Sequence, residues 1–484
     1  MKKRYIYTLT AAFVWLGTGC NKLKDFGDVN QNPTQTTKPI ISALLTNAEV
    51  SITGLSTTGT PAIAGGQYAQ YFTETQYSGT SLYTLPQNEF SGYYSGTLYD
   101  LQNIINLNQS KASTAVAKIL QQYIYWVITD SWGDVPYSDA LKGLDAIQPK
   151  YDTQETIYKG IIATLTSAQA ELDGSSLAGD VIYNGDVASW KRAANSIKLL
   201  AALQLSKIVP AAGGYAATAV KEAISAGVIE QNSQNMEVNF PGGSFKSPWY
   251  NLYDGRKDFA ESATMTNILK GLNDTRLSVY GGKSELNGNA DPSDIGVPYG
   301  LARNNVLAFI EANPNWARVL RGDFRTAAGT ATIITAGEVY LARAEAALLG
   351  WTTGTEKIAL IDLYKNGIKA SNAQWGLGEA TTSYIANVPP TIANITIQRW
   401  IASYPDGHQA WNIWRKSATT SLVNPKGYPA LNPAPDAVNA SKKIVSRFVY
   451  TPNEYSSNEK NVKAAVARLT GGDSQDAHVW WDVD

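Results

Sequence analysis

Apolar residues return at helical spacing along one stretch after another of this 484-residue chain, and that periodicity narrows its fold more than any other feature. In "TQETIYKGIIATLTSAQAEL", Ile157, Ile161, Leu165, Ala168 and Leu172 step by four, four, three and four. Such steps put all five on one face of a helix. Thr153 to Thr156 offer caps ahead of it. Trp190, Ala194, Ile197, Ala201, Leu205 and Ile208 draw a second stripe, and Val116, Leu120, Tyr123 and Val127 a third. "GEVYLARAEAALLGW" and "TEKIALIDLYKNGIKASNA" read as two helices joined by a Gly-Trp-Thr-Thr-Gly turn. Ala342, Ala344, Ala346 and Ala347 admit a close neighbour, and Tyr364 and Ile368 supply the knobs.

Paired helices of this kind resemble tetratricopeptide repeats, which stack because one pair cannot bury its own face. The pairs here are not tandem. Glycine, proline and aromatic residues mark long insertions near 54–98, 239–300 and 424–440. Strand signals are short. The expected fold is mainly α: a TPR-like helix-pair scaffold with long loop insertions and a few short β-hairpins. Tyr93, Tyr94 and Tyr99 are assigned to a helix core.

The chain contains a single cysteine, Cys20, in "MKKRYIYTLTAAFVWLGTGCNKLKD". Lys2, Lys3 and Arg4 precede an apolar run from Tyr5 to Leu16, and small residues follow. This is the layout of a secretory signal peptide. The run is shorter than the ~20 residues that cross a bilayer. Ending at Cys, it resembles a bacterial lipoprotein signal, in which the thiol is acylated and the chain is cut before it. Leu16 lies four residues ahead of Cys20, where the usual pattern has three; an ordinary signal with an incidental Cys is the alternative. The expected organisation is a signal at 1–19, a lipidated tether at 20–39 and one helical domain at 40–484. With no second cysteine, stability has to come from core burial.

Lys and Arg number 40 against 41 Asp and Glu, and without the three basic residues of the leader the net charge is about −4. That balance argues against a nucleic-acid partner. Aromatic residues are mostly Tyr (27) and Trp (13), which suit half-exposed positions. The bias fits a sugar- or peptide-binding surface, with helix packing as the competing use.

Several chemistries lack their residues. The histidines are His408 and His478; with Cys20 acylated they cannot complete a zinc site. His408 reads as a packed or exposed turn residue. No nucleotide-binding, metalloprotease or nucleophile-elbow motif occurs. No metal or cofactor is expected, and an enzyme is not. Glycosidases need only two carboxylates, and Asp130 and Asp134 in "ITDSWGDVPYSDAL" are the pair to weigh. Gly133 and Pro136 beside them favour backbone capping over catalysis; a metal or ligand contact stays open.

In order, these segments resemble the SusD/RagB family of outer-membrane lipoproteins, in its SusD-like branch. "VITDSWGDVPYSDAL" matches a TD-x-WGD-x-PY-x-x-A motif at Thr129, Asp130, Trp132, Gly133, Asp134, Pro136, Tyr137 and Ala140. "WKRAANSIKLLAALQLS" resembles the family's ANSLKLRLA helix, with Leu200 where Arg is usual. "LNDTRL" stands for LNDPRL, "GEVYLARAEAALLGW" for the AEA helix, and "RFVYTPNEYSSNEKNVKAA" for the C-terminal motif. The likeness runs from about residue 20 to 484. It implies a non-catalytic, cell-surface protein that binds oligosaccharides, or peptides, and passes them to a SusC-type TonB-dependent transporter. Asn195, Ser196 and Glu345 are expected to satisfy buried polar groups.

Family binding residues lie in variable loops, so ligand candidates come from chemistry: aromatic, in a loop, off any stripe. These are Tyr77 and Tyr83, with Gln76 and Asn88 nearby; Trp249, Tyr250 and Tyr253, with Asn251, Asp254 and Arg256; and Trp316. Packing is the alternative for each ring. A surface-anchored glycan hydrolase and an adhesive helical-repeat lipoprotein are the competing functions.

Overall fold

The computed structural model describes residues 39–85, 88–378, 382–418 and 427–484. The expected leader and tether lie outside the described residues, apart from Pro39. Among the described residues the longest helix, Lys111–Trp132, carries the third stripe. It is buried on every side, with only Lys111 and Lys118 reaching solvent. Ser110 caps its start by accepting from the Ser113 amide (3.3 Å), and Gly133 ends it at φ +89°.

Successive helices pack outward from this one. Gln154–Glu171 lies against it, Val187–Gln204 against that, and Tyr215–Ala226 against the next. The Thr153 hydroxyl accepts from the Thr156 amide, so the expected cap is present. The second stripe outruns its helix: the chain turns after Gln204, Leu205 stays buried and Ile208 is half-buried. The alanine-rich pair spans Ala336–Leu348 and Leu360–Gln374, with a capping box between Thr335 and Glu338. Ala342, Ala344 and Ala346 are fully buried, and Tyr364 and Ile368 fill a small separate core with Leu341, Leu363 and Ile395. Ile392–Ala402 packs on both helices of that pair.

The insertions hold more helix than their composition announces. Thr60–Tyr68 and Ser91–Ser95 fall in 54–98, and Ala263–Leu272 falls in 239–300. Glycine hid the first of these. Thr60–Tyr68 lies directly on Gly407–Ser417. A Cβ on Gly407 would fall 2.2 Å from the Gly66 Cα, and one on Gly65 2.7 Å from the Gly407 oxygen. Glycine serves here as a contact surface, not as a helix breaker. Tyr99 corrects a second expectation: it is 50% exposed, while Tyr93 and Tyr94 are half-buried.

Strands are short antiparallel pairs. Val135–Pro136 with Tyr151–Asp152 is local. Phe72–Glu74 with Phe259–Glu261, Met236–Asn239 with Thr330–Ile334, and Gly281–Gly282 with Arg318–Val319 join distant segments. Ser196 and Glu345 are satisfied as expected, whereas the Asn195 side-chain oxygen is buried without a partner. Asn195 donates to the Gly227 carbonyl (2.9 Å), and Ser196 accepts from the Ile229 amide (2.9 Å). Glu345 pairs with Arg399 and Lys416.

Candidate functional site

The strand pair Phe72–Glu74 and Phe259–Glu261 decides which loops meet. The first strand leads into the Tyr77 loop and the second receives the Arg256 loop. One further bond, from the Thr75 amide to the Asp258 carbonyl (2.8 Å), extends the ladder and brings both loops to one edge. The Arg256 guanidinium stands 5.7 Å from the Tyr77 ring centre and pairs with Asp258 at 2.8 Å. Arg303, at the start of helix Arg303–Ala312, donates to the Gln76 carbonyl (3.0 Å) and to its side-chain oxygen (3.1 Å). Tyr77 is 68% exposed and the Arg256 side chain 63%. An aromatic face, two guanidinium groups and an amide therefore share one rim. Arg303 escaped the sequence reading because it stands just past the 239–300 insertion, in the first turn of a helix.

Lys257, next to Arg256 in the chain, belongs to an ionic cluster. Glu285 pairs with Arg318 (2.6 Å) and Lys257 (3.1 Å). Burial pushes the Glu285 carboxyl up, but these cations outweigh it and hold the group below its ordinary value. The Thr75 hydroxyl, donating to the Lys257 carbonyl, holds the backbone beside Arg256.

The other aromatic candidates are placed differently. Tyr250 is half-buried with the Lys246 ammonium 4.4 Å from its ring centre, and its carbonyl accepts from Asn287 (2.8 Å). Tyr83 is 1% exposed at φ +62°; its hydroxyl accepts from the Ala434 amide (3.0 Å), and burial pushes it up to about 12. The Tyr253 hydroxyl accepts from the Val319 amide and donates to the Phe259 carbonyl, both at 2.8 Å. Trp316 is covered by the Arg318 guanidinium at 3.7 Å, and Trp249 is 2% exposed. The expectation that Tyr83, Trp249, Tyr253 and Trp316 present free faces is thus corrected. Each ring is large enough to be recruited into the core under its own loop.

Asp130 and Asp134 serve structure. Asp130 is fully buried and accepts from Tyr158 (2.5 Å), Trp481 (2.8 Å) and Asn412 (2.8 Å). Burial pushes its carboxyl up to about 7, against the pull of Tyr158 and Arg415. Asp134 accepts from the Gln154 amide (2.8 Å), the expected capping of the next segment, and pairs with Arg468 at 2.5 Å. His408 is wholly buried. Among the described residues no three His, Cys, Asp or Glu side chains converge on a metal position, and no helix is long and apolar enough to cross a membrane.

The comparisons with known proteins agree with this architecture. The SusD-like family model described as "Starch-binding associating with outer membrane" matches residues 31–451. No curated protein matches the chain. A solved chitin-binding protein is 25% identical, with a TM-score of 0.76 over 92% of this chain and 100% of its own. A SusD homolog from Bacteroides uniformis is 24% identical (TM-score 0.76, covering 92% and 99%), and a chitin-binding SusD homolog from Flavobacterium johnsoniae 24% (0.74, 92% and 98%). At those two identities the likeness speaks for the fold alone.

Proposed function

The chain belongs to the SusD-like family, and from that premise we propose that it is a lipoprotein of the outer-membrane surface that captures oligosaccharides and hands them to a SusC-type TonB-dependent transporter. The observation that carries the reading is the exposed rim of Tyr77, Arg256, Arg303 and Gln76. A sugar ring lays its C–H face on an exposed aromatic, while guanidinium and amide groups bond its hydroxyls. Tyr250, half-buried, is a further ligand candidate. The chitin-binding protein at 25% identity makes chitin oligosaccharides the first ligands to test, with starch oligosaccharides and peptides beside them. Lipidation at Cys20 supplies the anchor, since several acyl chains hold a protein firmly at ~0.8 kcal/mol per buried CH₂.

Titration calorimetry tests the rim. Tyr77→Ala and Arg256→Ala should each weaken oligosaccharide binding about tenfold and leave thermal stability unchanged, because both side chains are exposed. Unchanged affinity in both variants would remove this site. Pull-down from solubilised outer membranes should recover a large β-barrel transporter; its absence counts against delivery. Labelled palmitate should enter the wild-type chain and not Cys20→Ala, and equal labelling would overturn the anchor.

A further inference from the structure

The loop that carries Gln76 and Tyr77 is clasped at its base by two reciprocal bonds. The Ser81 amide donates to the Glu74 carboxylate, and the Glu74 amide donates to the Ser81 hydroxyl oxygen, both at 3.0 Å. That hydroxyl in turn donates to the Gln67 side-chain oxygen on helix Thr60–Tyr68 (3.0 Å). Beyond Ser81 the chain folds back on the loop: the Leu82, Tyr83 and Thr84 amides donate to the Ser78, Thr80 and Gly79 carbonyls at 2.9–3.0 Å. Glu74 ends its strand and begins the clasp.

Glu74 is 9% exposed. Burial pushes its carboxyl up to about 6, against the pull of donors on Ser81 and Thr80; among the described residues no Lys or Arg pairs with it. The titratable groups that face it are phenols. Tyr68 on the helix and Tyr299 both feel its charge, and Tyr83 packs against those two rings at 6.2 and 6.5 Å between centres. Burial holds all three phenols above their ordinary values, so none exchanges a proton near neutrality. Across the strand ladder Phe259 stands opposite, and the Asp258 carboxylate beside it is paired with Arg256. Opening the clasp returns the Glu74 carboxyl to water and to its ordinary value of 4.5. Protons therefore bind the closed loop more tightly than the open one. The closed form has its full gain below pH 4.5 and loses it as pH rises through 6.

We propose that Glu74 is a positioning residue of the rim: when it takes up a proton the clasp tightens and holds Gln76 and Tyr77 in place, and when it is ionised the loop loosens. The consequence for ligand capture rests on the rim reading; the response of the loop to pH does not. Hydrogen exchange of the full chain without ligand, followed by mass spectrometry and corrected for the intrinsic effect of pH, tests it. Protection of the Ser81 to Thr84 amides should rise about eightfold from pH 7 to pH 5. In Glu74→Gln, whose side-chain carbonyl still accepts from Ser81, protection should stay level. Glu74→Met replaces that variant if it does not fold, with the same level profile expected. Amides of helix Lys111–Trp132 report folding at each pH. Level protection in the wild type, a fall in place of the rise, or the same rise in the variant would each overturn the proposal. Failure of oligosaccharide binding in the calorimetric test would remove the rim and leave the exchange result standing.

Discussion

Asp130 stands where one side chain meets three donors from distant parts of the chain: Tyr158, Asn412 and Trp481. Asp130→Ala would strand all three in the core and is expected to cost about 3–5 kcal/mol in urea unfolding; a loss below 1 kcal/mol would deny it this role. His408 provides a pH signature. Burial, then the Arg415 cation, holds its ring down at about 3 from 6.5. Protons therefore bind the unfolded chain more tightly. The contribution of the neutral ring is whole above pH 6.5 and is lost as pH falls toward 3, by about 1.4 kcal/mol per pH unit. Asp130, raised from 3.8 to about 7, acts in the opposite sense: its contribution is whole below 3.8 and lost as pH rises through 7. Between pH 6.5 and 4.5 the two slopes oppose each other, so His408→Leu should gain stability relative to wild type as pH falls through that range, and parallel curves for variant and wild type would exclude the histidine.

Elements in this fold touch backbone to backbone where glycine allows it. At the crossing of Thr60–Tyr68 and Gly407–Ser417, Gly407→Ala would force the helices apart, because its Cβ meets Gly66 at 2.2 Å. The expected loss is at least about 2 kcal/mol. Gly92 offers the contrast, with nothing within 4 Å of an added Cβ inside a helical turn. Gly92→Ala should be neutral or stabilise by up to about 1 kcal/mol. Thermal melts of the two variants check both signs. The same crossing explains a misreading: a Gly-Gly pair in a stretch rich in Gly, Thr and Tyr looks like a loop in sequence, and becomes helix against a partner with no side chain in the way.

Seen whole, residues 41–484 form one unit whose ends close on its centre. The Trp481 indole reaches Asp130, the Phe448 amide bonds the Ser131 carbonyl (2.8 Å), and Arg447 ties Trp132 to Asp473. Deleting residues 474–484 removes a fully buried Trp and one donor to Asp130. The truncated chain should lose at least about 4 kcal/mol and the cooperativity of unfolding; a melt like that of the full chain would show the C-terminus to be dispensable. The helical scaffold, its caps and the roles of Asp134, Asn195, Ser196 and Glu345 were legible in the sequence. The scaffold and its caps follow from spacing along one helix or from a local turn, and local geometry is encoded locally, whereas the partners of Asn195, Ser196 and Glu345 come from other segments. The family was legible through the order of its motifs. The fate of the aromatic rings was not. Tyr77 stays free while Tyr83, six residues on, is packed under Ala434, and Trp249 turns inward beside Tyr250. Arg303 joins the rim through contacts between segments that spacing does not relate. A ring is buried or left free by what the rest of the chain brings against it, and that depends on tertiary packing, not on the residue's own neighbours.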